Sequence, residues 1–405
     1  MLTKIAWRNI WRNKIRSLVV IIALALGLWA GAFSSAFYEG MMKQRINDVI
    51  ESEMSHFQFH EPNFREELQA KYFISGAESI EADMASAPHV IGSTGRVVAT
   101  AMMGSANKNG AAKLIGVDPE KEKVVTKLNE KLIEGDYFES VSRNPILISQ
   151  KMAESFHVKL KSKLVLTVQD LNGEIVASSF RVVGIYKSGN GMLDEVNAYV
   201  RRSDLPSIMS LDAQDYHEIA VLLDNHDLAE PMAAEYQEKY PNLEVKSWLD
   251  LATGMRYMVE AGSTFAYVIV GIILIALLFS IINTMLMAVM ERTREIGMLM
   301  AVGFNKRKVF MMIMLETVFL SMIGGPLGLL VAFLFIQATG TNGIDLGAMG
   351  ETYNELGFSA IVYPELALES YINITVMVFA MAILAAIYPA RKALKLNPSE
   401  AIRKI

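Results

Sequence analysis

The chain has 405 residues, of which 52% are hydrophobic, and a formal net charge of −5 at pH 7. This composition is too apolar for an ordinary soluble protein and too polar for a bundle embedded in lipid along its whole length. Cysteine is absent, which excludes a disulfide-stapled domain, thiol chemistry and a lipoprotein anchor on this chain. The charge gives no indication of nucleic-acid binding.

Four segments are apolar over the roughly 20 residues that are needed to span a bilayer. They cover residues 18–38, 264–290, 309–337 and 372–389. The stretch 39–263 between the first two has an ordinary soluble composition and is long enough for one or two small domains. The sequence therefore predicts a membrane α class with an external α+β domain: four transmembrane helices with a large domain between the first and second.

Basic residues indicate the orientation, because they accumulate on the cytoplasmic side of membrane spans. Lysine and arginine are concentrated in residues 1–17, in the 291–308 loop and in residues 390–405. The 338–371 loop contains neither, but it carries several acids. We therefore expect both termini and the 291–308 loop in the cytoplasm of a bacterium, the chain in the inner membrane, and the 39–263 domain and the short 338–371 loop in the periplasm.

The first apolar segment has one alternative interpretation, a cleaved signal peptide. Its apolar run of about 20 residues exceeds the roughly 7–15 of a signal core, and three further spans follow. We therefore expect it to remain as a membrane span.

Residues 1–17 predict a short helix with two different faces. Arg8 and Arg12 lie on one face, and Trp7 and Trp11 lie on another. Tryptophan prefers the membrane interface and arginine the lipid headgroups, so this pattern predicts an elbow helix anchored at the cytoplasmic leaflet. A plain basic flank that only sets the topology would have the same location, and this alternative stays open.

The 39–263 domain shows alternating strand and helix patterns. Nine strands are predicted, at residues 55–60, 90–102, 112–117, 145–149, 163–168, 175–186, 198–200, 218–223 and 243–246. Four helices are predicted, at residues 77–87, 119–129, 151–156 and 228–239. Two similar strand–helix–strand units at the ends of the domain are expected to form one α/β layer, with a β subdomain inserted at about 103–215. Helical patterns after residue 38 and before residue 264 predict stalk helices that continue the spans.

No pattern in the chain indicates catalysis or a cofactor. The phosphate-binding pattern GxxxxGK[ST] does not occur, and the six histidines show no metal-ligand spacing. His56 and His60 alternate with phenylalanines, as is typical of a half-buried strand. We therefore expect neither an enzymatic site nor a bound cofactor in this chain.

Residues 291–304 read ERTREIGMLMAVGF and lie between the second and third spans. This segment closely resembles the cytoplasmic loop of an ABC permease superfamily that includes MacB-type exporters, the lipoprotein-releasing permeases LolC and LolE, and FtsX. The resemblance implies a coupling helix that docks in a groove of an ATPase, formed here by Glu291, Arg292, Arg294, Glu295, Ile296, Gly297, Ala301 and Gly303. We expect the charged residues to enter a polar cleft, and Ile296, Met298 and Leu299 to be buried against the partner or the bilayer.

Three other segments are similar to the same family. They are residues 6–9 (AWRN), residues 324–328 (GGPLG) and residues 388–393 (YPARKA), the last followed by Pro398 and Ala401–Arg403. The resemblance implies a dimer of two permeases, identical or different, and two ABC ATPase subunits that bind ATP and Mg²⁺. Only 17 residues precede the first span, so we expect the ATPase in a separate chain.

Two groups of residues within the spans have structural or functional interpretations. Glu316 lies about two turns inside the third span, where an acid is costly and is a functional candidate by default. Asn283, Thr284 or the loop arginines are candidates to satisfy it. We favour a structural or coupling role for Glu316 over a proton relay. Gly324, Gly325 and Gly328 predict close helix packing, and Pro326 predicts a kink.

The transported substrate is the least determined part of the prediction. Residues 114–122, 182–186 and 246–248 look similar to lipoprotein-releasing permeases, which implies release of a lipidated substrate from the membrane, aided by a periplasmic chaperone or adaptor. MacB-like tripartite efflux of drugs or peptides and FtsX-like activation of cell-wall hydrolases are the alternatives. The external domain is larger than is usual for the FtsX alternative.

Overall fold

A computed structural model describes residues 2–139, 143–355 and 357–395 of the chain. Pro398 and Ala401–Arg403, which contribute to the family resemblance, lie outside the described residues. The chain divides into two compact units. The membrane unit consists of residues 1–42, 259–345 and 361–405, and the α/β unit consists of residues 43–258 and 346–360. Residues 346–360 thus belong to the α/β unit, whereas the sequence predicts them as part of a separate short loop.

The described helices are α1 Leu2–Arg12, α2 Lys14–Val49, α3 Phe64–Glu67, α4 Ala77–Ala85, α5 Pro119–Val125, α6 Gln150–Ser155, α7 Gly191–Val196, α8 Pro206–Met209, α9 Ala229–Lys239, α10 Trp248–Leu251, α11 Thr253–Glu291, α12 Thr293–Ala301, α13 Lys306–Asn342, α14 Gly350–Glu355 and α15 Leu368–Ala393. The described strands are β1 Phe57–His60, β2 Val90–Gly104, β3 Asn109–Val117, β4 Leu132–Gly135, β5 Pro145–Ser149, β6 Lys163–Gln169, β7 Ile175–Tyr186, β8 Asn197–Arg201, β9 Glu218–Leu223, β10 Glu244–Ser247, β11 Ile344–Asp345 and β12 Ile361–Val362.

Four helices of the described chain, α2, α11, α13 and α15, are long and apolar enough to cross a membrane. Helix α2 continues beyond the predicted first span and ends in a π-helical segment, Ile50–Met54. Helix α11 begins at Thr253, before the predicted second span. The boundary between the two units falls inside both helices. The predicted fold class, four membrane helices with an α/β domain between the first and second, is therefore confirmed.

The α/β unit is built on a ten-stranded sheet in the order β10-β1-β9-β2-β3-β8-β5-β7-β4, with β6 paired to β2 and β7. At one end, β1-α4-β2 and β9-α9-β10 interleave so that every neighbouring pair of strands is antiparallel. This is the split β–α–β arrangement, and it forms a single α/β layer. Phe57, Phe59 and Val221 fill the core between this layer and its two helices.

The strands that follow β2 in sequence, β3 to β8, extend the same sheet before the chain returns at β9. Strand β2 is 15 residues long and pairs with β9 along its first part and with β3 and β6 along its second.

The predicted helix over 119–129 is too long. Helix α5 ends at Val125, because Lys127 has a left-handed backbone conformation, with φ of 51°, that no helix can include.

A buried row of ionisable side chains crosses β1, β9 and β2. His60, Glu218 and Arg96 are cross-strand neighbours on one face of the sheet. Arg96 Nη1 donates to Glu218 Oε1 over 2.6 Å, and Arg96 Nη2 donates to Glu122 Oε1 over 2.8 Å. Burial alone would raise the pKa of Glu218, but the ion pair with Arg96 outweighs it and lowers the pKa to about 2. Because each buried charge has a partner, the row is compatible with a folded interior.

His217 lies beside this row and is held in its neutral form. Its Nδ1 is 3.3 Å from the Val98 backbone N–H, and its Nε2 is 3.0 Å from the Ala70 carbonyl oxygen. The first contact requires an unprotonated Nδ1 as the hydrogen-bond acceptor, and the second requires a proton on Nε2 as the donor. Burial lowers the pKa of His217 to about 4.

We predict that the α/β unit loses stability as the pH falls from 6.5 towards 4. The pKa of His217 is near 6.5 in the unfolded chain and about 4 in the folded chain. Between these pH values the unfolded chain binds a proton that the folded chain does not bind, so protonation favours unfolding. The stabilisation is therefore complete above 6.5 and is lost across this window, at about 1.4 kcal/mol per pKa unit. Hydrogen exchange of the β9 amides in the full-length chain measures it.

His217→Gln should be less stable at neutral pH but should show a flatter pH dependence. His157→Gln, a change at an exposed histidine, is the matched control. An unchanged pH profile in His217→Gln would contradict this assignment.

Glycines allow the membrane helices to approach each other closely. A Cβ atom built on Gly328 of α13 would lie 2.8 Å from Ala25 Cα of α2, and one on Gly324 would lie 3.0 Å from Leu24 Cβ. Gly325 faces α15, where an added Cβ would lie 2.8 Å from a ring carbon of Phe379. α13 therefore contacts α2 along a small-xxx-small stripe and α15 along the neighbouring face. Pro326 lies between these glycines inside a helix that is assigned without interruption from Lys306 to Asn342.

We predict that Gly328→Val destabilises the membrane unit by about 1–3 kcal/mol, because the new side chain meets backbone atoms of α2 that cannot move aside. The thermal unfolding midpoint of the full-length chain in detergent measures this effect. Gly271→Val in α11 is the control, since no atom lies within 4 Å of an added Cβ there. Equal destabilisation by both changes would show that helix propensity, not packing, is responsible.

Candidate functional site

The candidate site is the connection between the membrane helices α11 and α13. Arg292 interrupts the helical conformation, and the nine-residue helix α12 follows at Thr293–Ala301. Ile296 and Gly297 are buried, whereas Arg294 and Val302 are exposed. One face of α12 therefore packs against its own chain, and the other is open.

The end of α12 is defined by glycine. Gly303 has φ of 104°, a conformation that residues with a side chain rarely adopt. The Gly303 N–H bonds to the Met300 carbonyl, and the Phe304 N–H bonds to the Leu299 carbonyl. This pair of bonds is the Schellman motif, which satisfies carbonyls that a helix end leaves free. The resemblance names Gly303 as a coupling residue, and its geometric role is to terminate α12.

The next helix begins almost immediately. Asn305 is the N-cap of α13, and its side chain accepts a hydrogen bond of 2.9 Å from the Lys308 N–H. Only four residues, 302–305, therefore separate α12 from α13. With both helix ends capped, the orientation of α12 is restricted by the start of a membrane helix.

Two ion pairs connect this region to the N-terminus. Arg12 of α1 lies 2.5 Å from a carboxylate oxygen of Glu295, and Arg16 at the start of α2 pairs with Glu291. The side chains of Arg12 and Glu295 are about half exposed, at 54% and 44%. An exposed ion pair of this kind contributes only about 0–1 kcal/mol to the free energy of unfolding. It therefore orients α1 and adds little to the stability of the protein.

Glu316 of α13 is the buried centre of the site, and its residue is 7% exposed. Its carboxylate accepts a 2.6 Å hydrogen bond from Asn9 Nδ2 of α1 and a 3.1 Å bond from Arg292 Nη1. Arg292 also lies 3.5 Å from Glu295. Glu316 thus joins α1, the start of the loop and α13, and the requirement of a buried carboxylate for donors is met by two different segments.

Helix α1 packs against α13 around this centre. Its Ala6 and Ile10 are fully buried or nearly so, at 0% and 3% exposure. The ring of Trp7 meets Phe319 of α13 edge to face, with the ring centroids 5.6 Å apart, and Trp11 meets Trp7 similarly. Helix α1 is therefore attached to the protein along one side, while Arg8 on another side is exposed.

A cavity of about 450 Å³ lies between α1, the end of α11, α12 and α13. Its walls are mainly apolar and include Met285, Ile296 and Ile313. The charged residues that line it, Arg12, Arg292, Glu295 and Glu316, pair with one another. The cavity therefore offers no unbalanced charge to a ligand.

The geometry changes the expectation for the predicted coupling residues. Three of the four charged ones, Glu291, Arg292 and Glu295, form ion pairs within their own chain, although Glu291 and Glu295 stay partly exposed. Ile296 is buried against the chain itself, and Met298 is 46% exposed. Within the described chain, the surface left open at α12 carries Arg294, Met298, Ala301, Val302 and Gly303.

The structure also shows which of the predicted partners bind Glu316. A loop arginine, Arg292, provides one donor, whereas Asn283 is exposed and Thr284 bonds to the Ser280 carbonyl. The second donor, Asn9, is absent from the sequence-based candidates. A signal for it exists: Asn9 lies three residues after Ala6 and next to Ile10, on the buried side of α1, where a polar group needs a partner.

The architecture defines a multi-pass membrane protein with an α/β domain inserted between its first two membrane helices. Residues 17–239, more than half of the chain, match the model of the MacB-like periplasmic core domain, and residues 267–398 match that of the FtsX-like permease C-terminal. The chain belongs to the MacB/LolC/FtsX superfamily of ABC transporter permeases.

Individual relatives are distant. An uncharacterized ABC transporter permease of Methanocaldococcus jannaschii is 24% identical over 277 residues, which cover 67% of this chain and 65% of the relative. The lipoprotein-releasing system transmembrane protein LolC of Xylella fastidiosa is 22% identical over 334 residues, or 78% of each chain. The crystal structure of the periplasmic region of MacB from Actinobacillus actinomycetemcomitans gives a TM-score of 0.36 at 14% identity, covering 51% of this chain and 94% of that one.

The matches do not extend over the whole of several relatives. They span 65% of the archaeal permease and 61% and 54% of two uncharacterized permeases, YknZ and YvrN, of Bacillus subtilis.

Proposed function

We propose that this chain is the membrane subunit of an ABC transporter, in which a separate ATPase docks on α12 and drives movement of the α/β unit. The observation that carries the proposal is the construction of α12. One face of α12 is open. On its other side Glu295 pairs with Arg12 of α1, and Arg292, just before α12, pairs with the buried Glu316 of α13. A helix that receives force from a partner needs both an accessible face and a firm attachment to the membrane helices.

The long helices support the second half of the proposal. Helices α2 and α11 each pass from the membrane unit into the α/β unit without a break in helical structure. A continuous helix transmits displacement along its axis better than a flexible linker does. We propose two permeases and two ATPase subunits per complex, with ATP and Mg²⁺ bound by the ATPase. The α12 end faces the cytoplasm and the α/β unit faces the periplasm of a bacterial inner membrane.

Docking is tested best at Arg294. Reversal of Glu291 and Glu295 to lysine is less specific, because each acid also pairs within the chain. We predict that Arg294→Glu lowers the amount of ABC ATPase that co-purifies with the tagged full-length chain about tenfold or more, since an interfacial charge then meets the wrong sign.

Arg181→Glu is the control, with the same charge change at an exposed position of β7 in the α/β unit. Both variants should insert in the membrane to the same level. Undiminished ATPase recovery with Arg294→Glu would refute docking on the open face of α12.

For the cargo, we propose lipidated protein released from the outer face of the inner membrane. The similarity to LolC over 78% of both chains supports this choice. Tripartite efflux is the second candidate, supported by the core-domain match and by a macrolide export protein MacB of Rhodopirellula baltica that is 27% identical over 205 residues. A periplasmic chaperone would receive a lipoprotein, whereas an adaptor would serve efflux.

We predict that depletion of this protein leaves lipoproteins in the inner membrane, measured by membrane fractionation. The full chain should restore sorting, and its Arg294→Glu variant should not. Normal sorting with increased sensitivity to drugs or peptides would favour efflux instead. Cell chaining without either change would favour control of cell-wall hydrolases.

A further inference from the structure

We propose that α1 and α12 move as one rigid body clasped at Glu316, so that a force on α12 enters the first and third membrane helices together. This inference rests on the proposed function, because it needs a partner that pushes on α12. It assigns Asn9, Arg292 and Glu316 as positioning residues for coupling.

We use the name clasp for the contacts among Asn9, Arg12, Arg292, Glu295 and Glu316, which are of two kinds. At its centre the buried Glu316 carboxylate binds Asn9 of α1 and Arg292 at the start of the loop. At its edge Arg12 of α1 binds Glu295 within α12 itself. Both pairs of contacts connect α1 to the loop, so α12 cannot shift relative to α1 without breaking one of them.

The buried contacts matter more than the exposed one. Water can replace the partner of a half-exposed arginine, but it cannot easily reach a carboxylate that is almost completely buried. Loss of Asn9 or Arg292 would leave Glu316 with too few donors in a poorly solvated place. The Glu316 centre therefore favours one arrangement of the three segments over all others.

The joint between α1 and α2 passes this movement on to the first membrane helix. Only Asn13 separates the two helices, and the Ser17 hydroxyl donates a 2.6 Å hydrogen bond to the Ile10 carbonyl. The Ser17 N–H also bonds to the Asn13 carbonyl. Displacement of α1 must therefore rotate or pull α2, whose far end lies in the α/β unit.

A merely structural role would also explain the burial of Glu316, so the test must measure motion. The natural chain has no cysteine, which permits spin labels at Arg8→Cys on α1 and Arg294→Cys on α12, both exposed positions. Pulsed electron paramagnetic resonance on the full-length chain in lipid nanodiscs gives the distance distribution between the labels. No ATPase is needed for this measurement, so it is independent of the docking test.

The variant to compare is Asn9→Leu, which keeps a similar volume and removes one donor from Glu316. Asn283→Leu is the control, since it makes the same change at an exposed asparagine of a neighbouring membrane helix. We expect a single narrow distance for the unmodified clasp and for Asn283→Leu, and a broad distribution for Asn9→Leu. A narrow distribution in Asn9→Leu would overturn the proposal.

The second measurement separates coupling from docking. In complexes purified with the native ATPase, without spin labels, Asn9→Leu should leave ATPase recovery within about twofold but lower ATP-dependent function roughly tenfold, a typical coupling effect. The charge swap Arg12→Glu with Glu295→Arg should perform better than either single change. Equal loss of ATPase recovery and function in Asn9→Leu would show that the residue supports docking only, and this would also overturn the proposal.

Discussion

The organisation of the membrane unit depends on one carboxylate that lies where water does not reach it easily. Glu316 occupies a membrane helix, and its acid group must be matched by donors that its own helix does not supply. One donor comes from the first helix of the chain and the other from the loop nearly 300 residues later. The need of a single buried carboxylate for donors therefore brings the N-terminal helix together with the loop that precedes α13.

The same constraint explains why α12 has two unlike faces. Charged residues that face a partner in solution need no support from their own chain, yet Glu291, Arg292 and Glu295 are all engaged internally. Arg294 and a small apolar surface are exposed beside these paired side chains. Paired and exposed side chains are only a few positions apart, because successive residues of a helix point in different directions.

Hydrophobic periodicity was sufficient to predict much of this fold. Strands β5, β7 and β9 have the predicted bounds, because their apolar runs end at clear turn signals. The sequence does not predict strand β4, because its four residues are mostly exposed and lack an apolar pattern. At the site, the position of α12 followed from its charges and glycine. The sequence does not predict which polar side chains pair within the chain, because Asn9 and Glu316 are separated by 307 positions in sequence and only the tertiary fold brings them together.

The long strand β2 has a consequence for how this protein can diversify. It is shared between the split β–α–β layer, to which both stalk helices are covalently joined, and the strands inserted after it. A hydrogen-bonded strand resists bending in its own plane, so the inserted strands follow the layer without a hinge between them. Changes in the inserted strands can therefore alter the surface of the α/β unit while the layer that is joined to the two long helices stays the same.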